Sequence, residues 1–276
     1  MASISQDSQL NLKWWDERAA LHGEDRVYNL DRFTTEPTAS TLKKQELLAV
    51  GDVSGQNLIH LQCHLGVDTL SWLRAGAATV TGLDFSQVAV DKARLMAERM
   101  GYASRATFIQ ANVLELPTQL HQGFDVVFAN IGTMRWIGDL TAWMRSAFSV
   151  LVPGGRLAFH EMHPLYSMAA SVDPLVLDRP YLNQGPLLQR NNAGSYAVPD
   201  AVTQHDETLL WAHSLGEVVT AAIHAGFVIE RLTEHFEAEY DGRWLLPRDP
   251  DGLFRWRSSQ GALLPFMFTL VARKAR

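Results

Sequence analysis

The chain has 276 residues, 47% of them hydrophobic, and a formal charge of −6 with the two signs interspersed. That is enough apolar material for one large domain, or one domain with a subdomain, and it excludes a disordered chain. No Lys/Arg block or basic-aromatic stripe offsets the negative balance, which argues against a nucleic-acid footprint.

In chain order, residues 1–11 are polar and expected to be loose, whereas 12–21 (LKWWDERAAL) has amphipathic helical spacing with Trp14 and Trp15. The pattern breaks up over 27–33, and 41–50 reads as a helix stopped by Gly51. Residues 1–52 are therefore expected to form a helical cap on the sheet that follows. The stretch NLIHLQCHLGVDTL at 57–70 passes from an apolar run through a turn into a helix, giving a strand at 57–62 and a helix at 67–75. A second apolar run, TVTGLD at 79–84, ends on Asp84, 18 positions after Gly66, so the unit has the dimensions of a βαβ element. In open parallel sheets ligands sit beyond the carboxyl ends of the strands, and an acid ending the second strand suits ribose hydroxyls, so a nucleoside is the expected ligand.

Ser86 is a good N-cap for the helix 87–100, which Gly101 closes. Strands at 106–110 and 124–129, a helix at 139–150 and a strand at 155–162 follow, with Pro153, Gly154 and Gly155 expected to make a tight turn before the last of these. This alternation predicts a doubly wound α/β fold with its core at 53–162. Residues 163–213, carrying prolines, Asn191-Asn192 and scattered aromatics, exceed an ordinary connection and read as a lid or substrate-binding insertion. The remaining part, 214–276, returns to the sheet with a helix at 215–225, a strand at 227–235, a polar loop holding Trp244 and Trp256, and a last strand at 264–273. The link between these two strands lacks a strongly periodic crossover helix, so they are expected to be antiparallel. The single cysteine, Cys63, permits no internal disulfide, and no N-terminal apolar segment resembles a signal peptide or membrane span. A cytoplasmic protein with no nucleic-acid and no membrane partner is the expectation.

Taken together, Asp84 after strand two, Ala111-Asn112-Val113 after strand three, FDVV at 124–127 and LVPGG at 151–155 resemble the class I S-adenosylmethionine-dependent methyltransferases, over roughly 55–165 with weaker support from 215–273. The resemblance implies a Rossmann-like seven-stranded sheet, mostly parallel with an antiparallel last strand, and S-adenosyl-L-methionine as cofactor. The first turn departs from the usual pattern of one acid and three glycines: His60, Gln62 and His64 replace the acid and the first two glycines, leaving Gly66. A small-molecule subgroup has a similar Leu-Gln-Cys-His-x-Gly-x-Asp-Thr-Leu turn. S-adenosylmethionine presents a carboxylate, an ammonium and a sulfonium rather than a pyrophosphate, and Gln62 and His64 suit the methionine end. The missing glycines also disfavour a nicotinamide-dependent oxidoreductase.

The resemblance further implies that Gln62, Cys63, His64 and Gly66 line the methionine moiety, that Asp84 accepts the ribose hydroxyls and that Phe85 packs on adenine, with Ser86 beside them. Asn112 would meet the adenine amino group, and Val113 would give a backbone donor. Asn130, Ile131 and Gly132 would present a carbonyl to the ammonium and face the methyl group. Trp15 and Tyr28 are lid residues whose rings suit a sulfonium.

Methyl transfer needs in-line attack, and near-attack positioning is worth on the order of 7–11 kcal/mol. Where the acceptor needs a base, His160, Glu161 and His163 at the end of strand five are the candidates, with Glu161 and His163 on one face. His205, beside Asp206 and Glu207, and His213 are secondary candidates from the insertion. Trp136, Tyr166, Trp211 and His213 are candidate substrate residues, with Tyr181 and Tyr196 as further walls. Trp72 and Trp143 lie at helical spacing and read as core, and Cys63 reads as packing rather than as a nucleophile. Glu161, His163 and His205 show no metal-ligand spacing, so no metal is expected. An exposed N-terminal helix with Trp14 and Trp15 would offer a homo-oligomer contact.

The expected function is methyl transfer to a small, partly apolar metabolite at oxygen, nitrogen or carbon. The alternatives are a non-catalytic S-adenosylmethionine-binding module, a nicotinamide-dependent oxidoreductase, and a nucleic-acid or protein methyltransferase. The last would show a charged docking face, or a motif such as Asn-Pro-Pro-Tyr where this chain has Asn130-Ile-Gly-Thr133.

Overall fold

A computed structural model describes residues 6–23, 25, 27–191, 193–243 and 245–276; residues 1–5 and Trp244 lie outside the described residues. Three helices come first: α1 (Gln6–Leu21), α2 (Leu30–Thr35) and α3 (Lys44–Val50). The first starts earlier than the apolar spacing predicts, and the irregular stretch 27–33 contains the short α2, capped by the Asn29 side chain on the Arg32 N–H.

The core then runs β1 (Asn57–Leu61), α4 (Val67–Arg74), β2 (Thr79–Asp84), α5 (Gln87–Arg99), β3 (Ala106–Gln110), β4 (Phe124–Ala129), α6 (Leu140–Val150) and β5 (Leu151–Met162). Beyond it come α7 (Pro164–Ser167), two short hairpins β6 (Ala169–Val172) with β7 (Leu175–Leu177) and β8 (Leu187–Arg190) with β9 (Glu207–Leu210), and then α8 (Leu215–Ala225). The chain closes with β10 (Phe227–His235), the short pair β11 (Glu237–Ala238) and β12 (Phe254–Arg255), and β13 (Met267–Lys274).

Seven strands form one sheet in the order β10-β13-β5-β4-β1-β2-β3, in which β13 is antiparallel to both of its neighbours. The strands are apolar runs because both faces are covered, as parallel sheets require. Alternation along β1 sends Leu58 to a layer with Trp72 of α4 and Ala93 of α5, and Ile59 to one with Trp143 of α6 and Val218 of α8. Trp72 and Trp143 are both fully buried. The direction of connection reverses between β1 and β4, so a crevice opens beyond the carboxyl ends of β1, β2 and β4.

One expectation about β5 needs correction. Pro153, Gly154 and Gly155 do not form a connecting turn: α6 passes straight into β5 at Leu151, and the three residues sit inside that strand. They absorb a register jump from Phe124 opposite Leu151 to Val126 opposite Arg156, with Gly154 at φ 84°. The start of the insertion packs against the C-terminal part of the chain. Met162, Tyr166 and Ala169 share a third apolar cluster with Ala238, Leu246, Phe254, Trp256, Phe266 and Met267, so the segment between β10 and β13 completes its core. Among the described residues, no helix is long and apolar enough to cross a membrane.

The premise of an exposed N-terminal helix fails as well. Trp14 is buried, and its ring lies 4.9 Å from Trp15 and 5.7 Å from Trp136, so these aromatics are spent within the chain.

A candidate cofactor cleft and an arginine-lined cavity at the carboxyl ends of the strands

A cleft of about 440 Å³ opens at the switch between β1 and β4. Its floor is the turn after β1, where Gln62 (φ 57°) and His64 (φ 48°) adopt left-handed backbone conformations, which β-carbons disfavour. Side chains offset that strain locally. Gln62 Nε2 donates to the Thr133 carbonyl (3.2 Å), and Gln62 Oε1 accepts from the Trp143 indole (2.9 Å). The His64 N–H donates to Asp84 (2.8 Å), and its ring Nε2 lies 2.9 Å from His22 Nδ1. Gln62 lines the cleft, and each end of its amide keeps a second hydrogen-bonding position beyond these contacts.

Cys63 also lines the cleft but is buried, with a thiol pushed well up by burial. Gly66 does not line it. At φ 73° it begins α4, and a β-carbon there would lie 2.4 Å from Phe108 Cε1, so its role is close packing of helix on sheet.

The end of β2 carries Asp84, only 6% exposed. Burial raises its pKa to about 6, moderated by the N–H groups of Ser86 and His64. Phe85, Asn112 and Val113 line the same wall; Asn112 Oδ1 accepts the Leu114 N–H at 3.0 Å, with a second lone pair to spare. Ser86 is not in the cleft. Fully buried, it caps α5 through the Ala89 N–H (3.1 Å) and donates to Asp16.

At the opposite end, Asn130, Ile131 and Gly132 line the cleft at the end of β4. Asn130 Nδ2 donates to Glu46 (3.0 Å) and Asp68 (2.8 Å), and its Oδ1 lies 3.3 Å from His60 Nε2. Glu46 is almost fully buried; burial and then the Asp68 charge raise its pKa to about 8. Sequence reading missed both acids. Asp68 sits in the quoted motif, two residues after Gly66, where an acid also reads as first-turn helix chemistry, whereas Glu46 lies in the cap and carries no local signal.

A roof closes over the turn. Trp15 packs 5.2 Å from His64 and 5.3 Å from Trp136, all three lining the cleft. The Tyr28 hydroxyl bonds that of Tyr196, and His22 Nε2 lies 3.0 Å from Ser195 Oγ. The N-terminal cap and the insertion therefore meet directly above the first turn. Desolvation lowers the pKa of His22 to about 4 and that of His64 well below its usual value.

The three proposed catalytic groups at the end of β5 do not reach this cleft. His160 is buried against Thr269 (2.9 Å) and His235, and burial lowers its pKa to about 3. His163 caps α7 on the Leu165 N–H (3.1 Å) and lies 2.9 Å from Glu234. Glu161 accepts the N–H groups of Gly132, Thr133, Met134 and Met162 at 2.7–3.0 Å, so it shapes the loop after β4. Period-two alternation gives a face, and tertiary packing decides what that face meets.

A second cavity, of about 400 Å³, adjoins the first; Arg135, Met162 and Gln189 border both. Trp211 and His213 are in its wall together with Tyr181. The His213 ring is spoken for by the Ile137 carbonyl (2.6 Å) and Glu217 (2.9 Å). Tyr166 is a correction: fully buried, it packs 4.7 Å from Phe266, and its hydroxyl donates to Asp241 (2.8 Å). His205 is exposed on the insertion. Among the described residues no group of three or more His, Cys, Asp or Glu side chains is arranged to hold a metal ion.

Comparison with known proteins adds four findings. The family model described as a methyltransferase domain matches residues 53–207. The 27-O-demethylrifamycin SV methyltransferase of Amycolatopsis mediterranei is 30% identical over 145 residues, 52% of this chain and 48% of that protein. The ribosomal protein L11 methyltransferase of Aeromonas hydrophila is 31% identical over 129 residues, 45% and 42% of the two chains. The chain thus spans about half the length of these curated relatives. In fold, it is similar to a crystal structure of an S-adenosylmethionine-dependent methyltransferase from Mesorhizobium loti, with a TM-score of 0.60, 21% identity, and coverage of 83% of this chain and 95% of that one.

Proposed function

Since the chain belongs to the class I S-adenosylmethionine-dependent methyltransferases, we propose that its cleft binds S-adenosylmethionine and delivers the methyl group to a small, partly apolar metabolite. One observation carries this reading: the cleft has acceptors at both ends, with Asp84 at one and the Glu46, Asp68 and Asn130 cluster at the other. That spacing of charge fits a ligand with ribose hydroxyls at one end and an ammonium at the other. Phe85, Asn112 and Val113 take the base. Where the family usually carries an acid this chain has His60, and the missing negative charge is supplied by Asp68 from α4, beside a Glu46 carboxyl from the cap that a docked ammonium would ionise.

When bound, the cofactor supplies an electrophilic methyl on a positively charged sulfur. The chain's own residues orient and enclose it. Trp15 and Tyr28 present aromatic faces that tolerate a cation, and the roof of Tyr28, Tyr196 and His22 excludes water. At the end of β5, Glu161 lines the second cavity with its carboxylate held by four backbone N–H groups, while His160 and His163 line neither cavity, so positioning is the main contribution. The enclosed geometry and the net charge of −6 favour a small acceptor over a protein or nucleic-acid surface. The reading is tested by calorimetric titration with S-adenosylhomocysteine. Wild type should bind, and Asp84→Asn, which keeps the shape but loses a charged acceptor, should bind at least tenfold more weakly. Absence of binding to wild type would overturn the assignment, and equal affinity would remove Asp84 from the site.

A further inference from the structure

We propose that the second cavity holds an oxyanion carried by the methyl acceptor, a carboxylate or a phosphate, through the guanidinium groups of Arg135, Arg179 and Arg243. The three come from the loop after β4, the insertion and the segment after β11, and all line the same space. Among the described residues none of them is in an ion pair, whereas Arg190 on the same wall is paired with Glu207 at 3.0 Å. Two carboxylates, Glu161 and Asp178, also line the cavity, but among the described residues neither forms an ion pair with these arginines. Glu161 accepts four backbone N–H groups, and Asp241 accepts the Tyr166 hydroxyl and the N–H groups of Arg243, Leu245 and Leu246. Asp178 is exposed.

The three cations repel one another, a cost that Glu161 beside Arg135, and Asp241 and Asp178 beside Arg243, offset only in part. Burial, and then this mutual repulsion, lowers the pKa of Arg135 and of Arg243 to about 10, and an anion between them would relieve that cost. Arg243 is anchored through Nη1 on the Tyr166 and Ser167 carbonyls, which leaves its remaining donors for a ligand. Arg135 borders both cavities, so an acceptor with its charged group here reaches the cofactor cleft with its other end. Leu187, Leu210 and Trp211 offer an apolar wall for the body between. This deepens the methyltransferase reading and rests on it only for what happens beyond the anion.

The test titrates the whole protein, at constant ionic strength set with chloride, with inorganic phosphate and separately with butyrate, reading tryptophan fluorescence and the thermal midpoint. At least one should give a saturable response in wild type, and the better of the two identifies the kind of oxyanion. Arg179 donates no side-chain hydrogen bond among the described residues, so Arg179→Gln removes charge without breaking the fold and should weaken binding tenfold or more. Arg32→Gln, on α2 and outside both cavities, should leave the response unchanged. No saturable response to either anion in wild type, or equal binding by Arg179→Gln, overturns the proposal. S-adenosylhomocysteine is titrated in parallel and should bind Arg179→Gln as it binds wild type. Failure of that ligand on wild type would sink the cofactor reading and leave the anion result to stand or fall separately.

Discussion

Glu46 is the residue whose chemistry is least expected from its place in the chain. In the unfolded chain it has an ordinary carboxyl, whereas in the fold burial and Asp68 keep it protonated up to about pH 8. A docked ammonium would favour its ionised form. Cofactor binding at pH 7 should therefore release a fraction of a proton approaching one, and the calorimetric enthalpy should differ between phosphate and Tris buffers. Glu46→Gln should abolish the difference. Equal enthalpies for wild type in the two buffers would take the ammonium away from this carboxyl. Gln62 and His64 teach a related lesson: they hold left-handed conformations where glycine is cheaper, because Trp143, Thr133, Asp84 and His22 secure them.

Among the elements, α4 shows how tightly the first turn is coupled to the sheet. A β-carbon on Gly66 would meet Phe108 of β3 at 2.4 Å in a backbone region that L residues avoid. Gly66→Ala should lower stability in urea unfolding by about 2–4 kcal/mol, strain and overpacking together. A variant as stable as wild type would show that α4 has room to move off the sheet. The length of β5 belongs to the same scale. A proline and two glycines usually signal a turn, but the pairing of β5 with β4 and β13 outweighs local preference and draws them into a strand with shifted register.

Across the whole molecule, buried titratable groups set the response to pH. His22, His60 and His160 have pKa values lowered by burial to about 4, 4 and 3. Below their ordinary value near 6.5 the unfolded chain takes up protons that the fold refuses, so stability falls as pH falls. Glu46 and Asp84, raised to about 8 and 6, act in the opposite sense over the range between their ordinary and raised values. Between about pH 6 and 4.5 the histidines that burial keeps neutral, His64 among them, outnumber these two carboxyls, so stability falls as pH falls. Above pH 6.5 the Glu46 contribution remains, and stability declines as pH rises toward 8. Urea unfolding at pH 5, 6.5 and 8 should show a maximum near 6.5, and Glu46→Gln should flatten the alkaline side. A profile that rises or falls steadily across that range would contradict this balance.

What the sequence determined by itself is the βα order of the core, the bounds of its first four strands to within a residue, and Asp84 at the mouth of the second strand. These follow from period, caps and chain length, which act over a few residues. Only the tertiary structure decided that Glu46 meets Asp68 and Asn130, that His160 and His163 turn into packing rather than into the cleft, and that Arg135, Arg179 and Arg243 converge. Each of those depends on segments far apart in the chain being pressed together by burial of the apolar layers, and no local pattern records which distant partner a side chain will face.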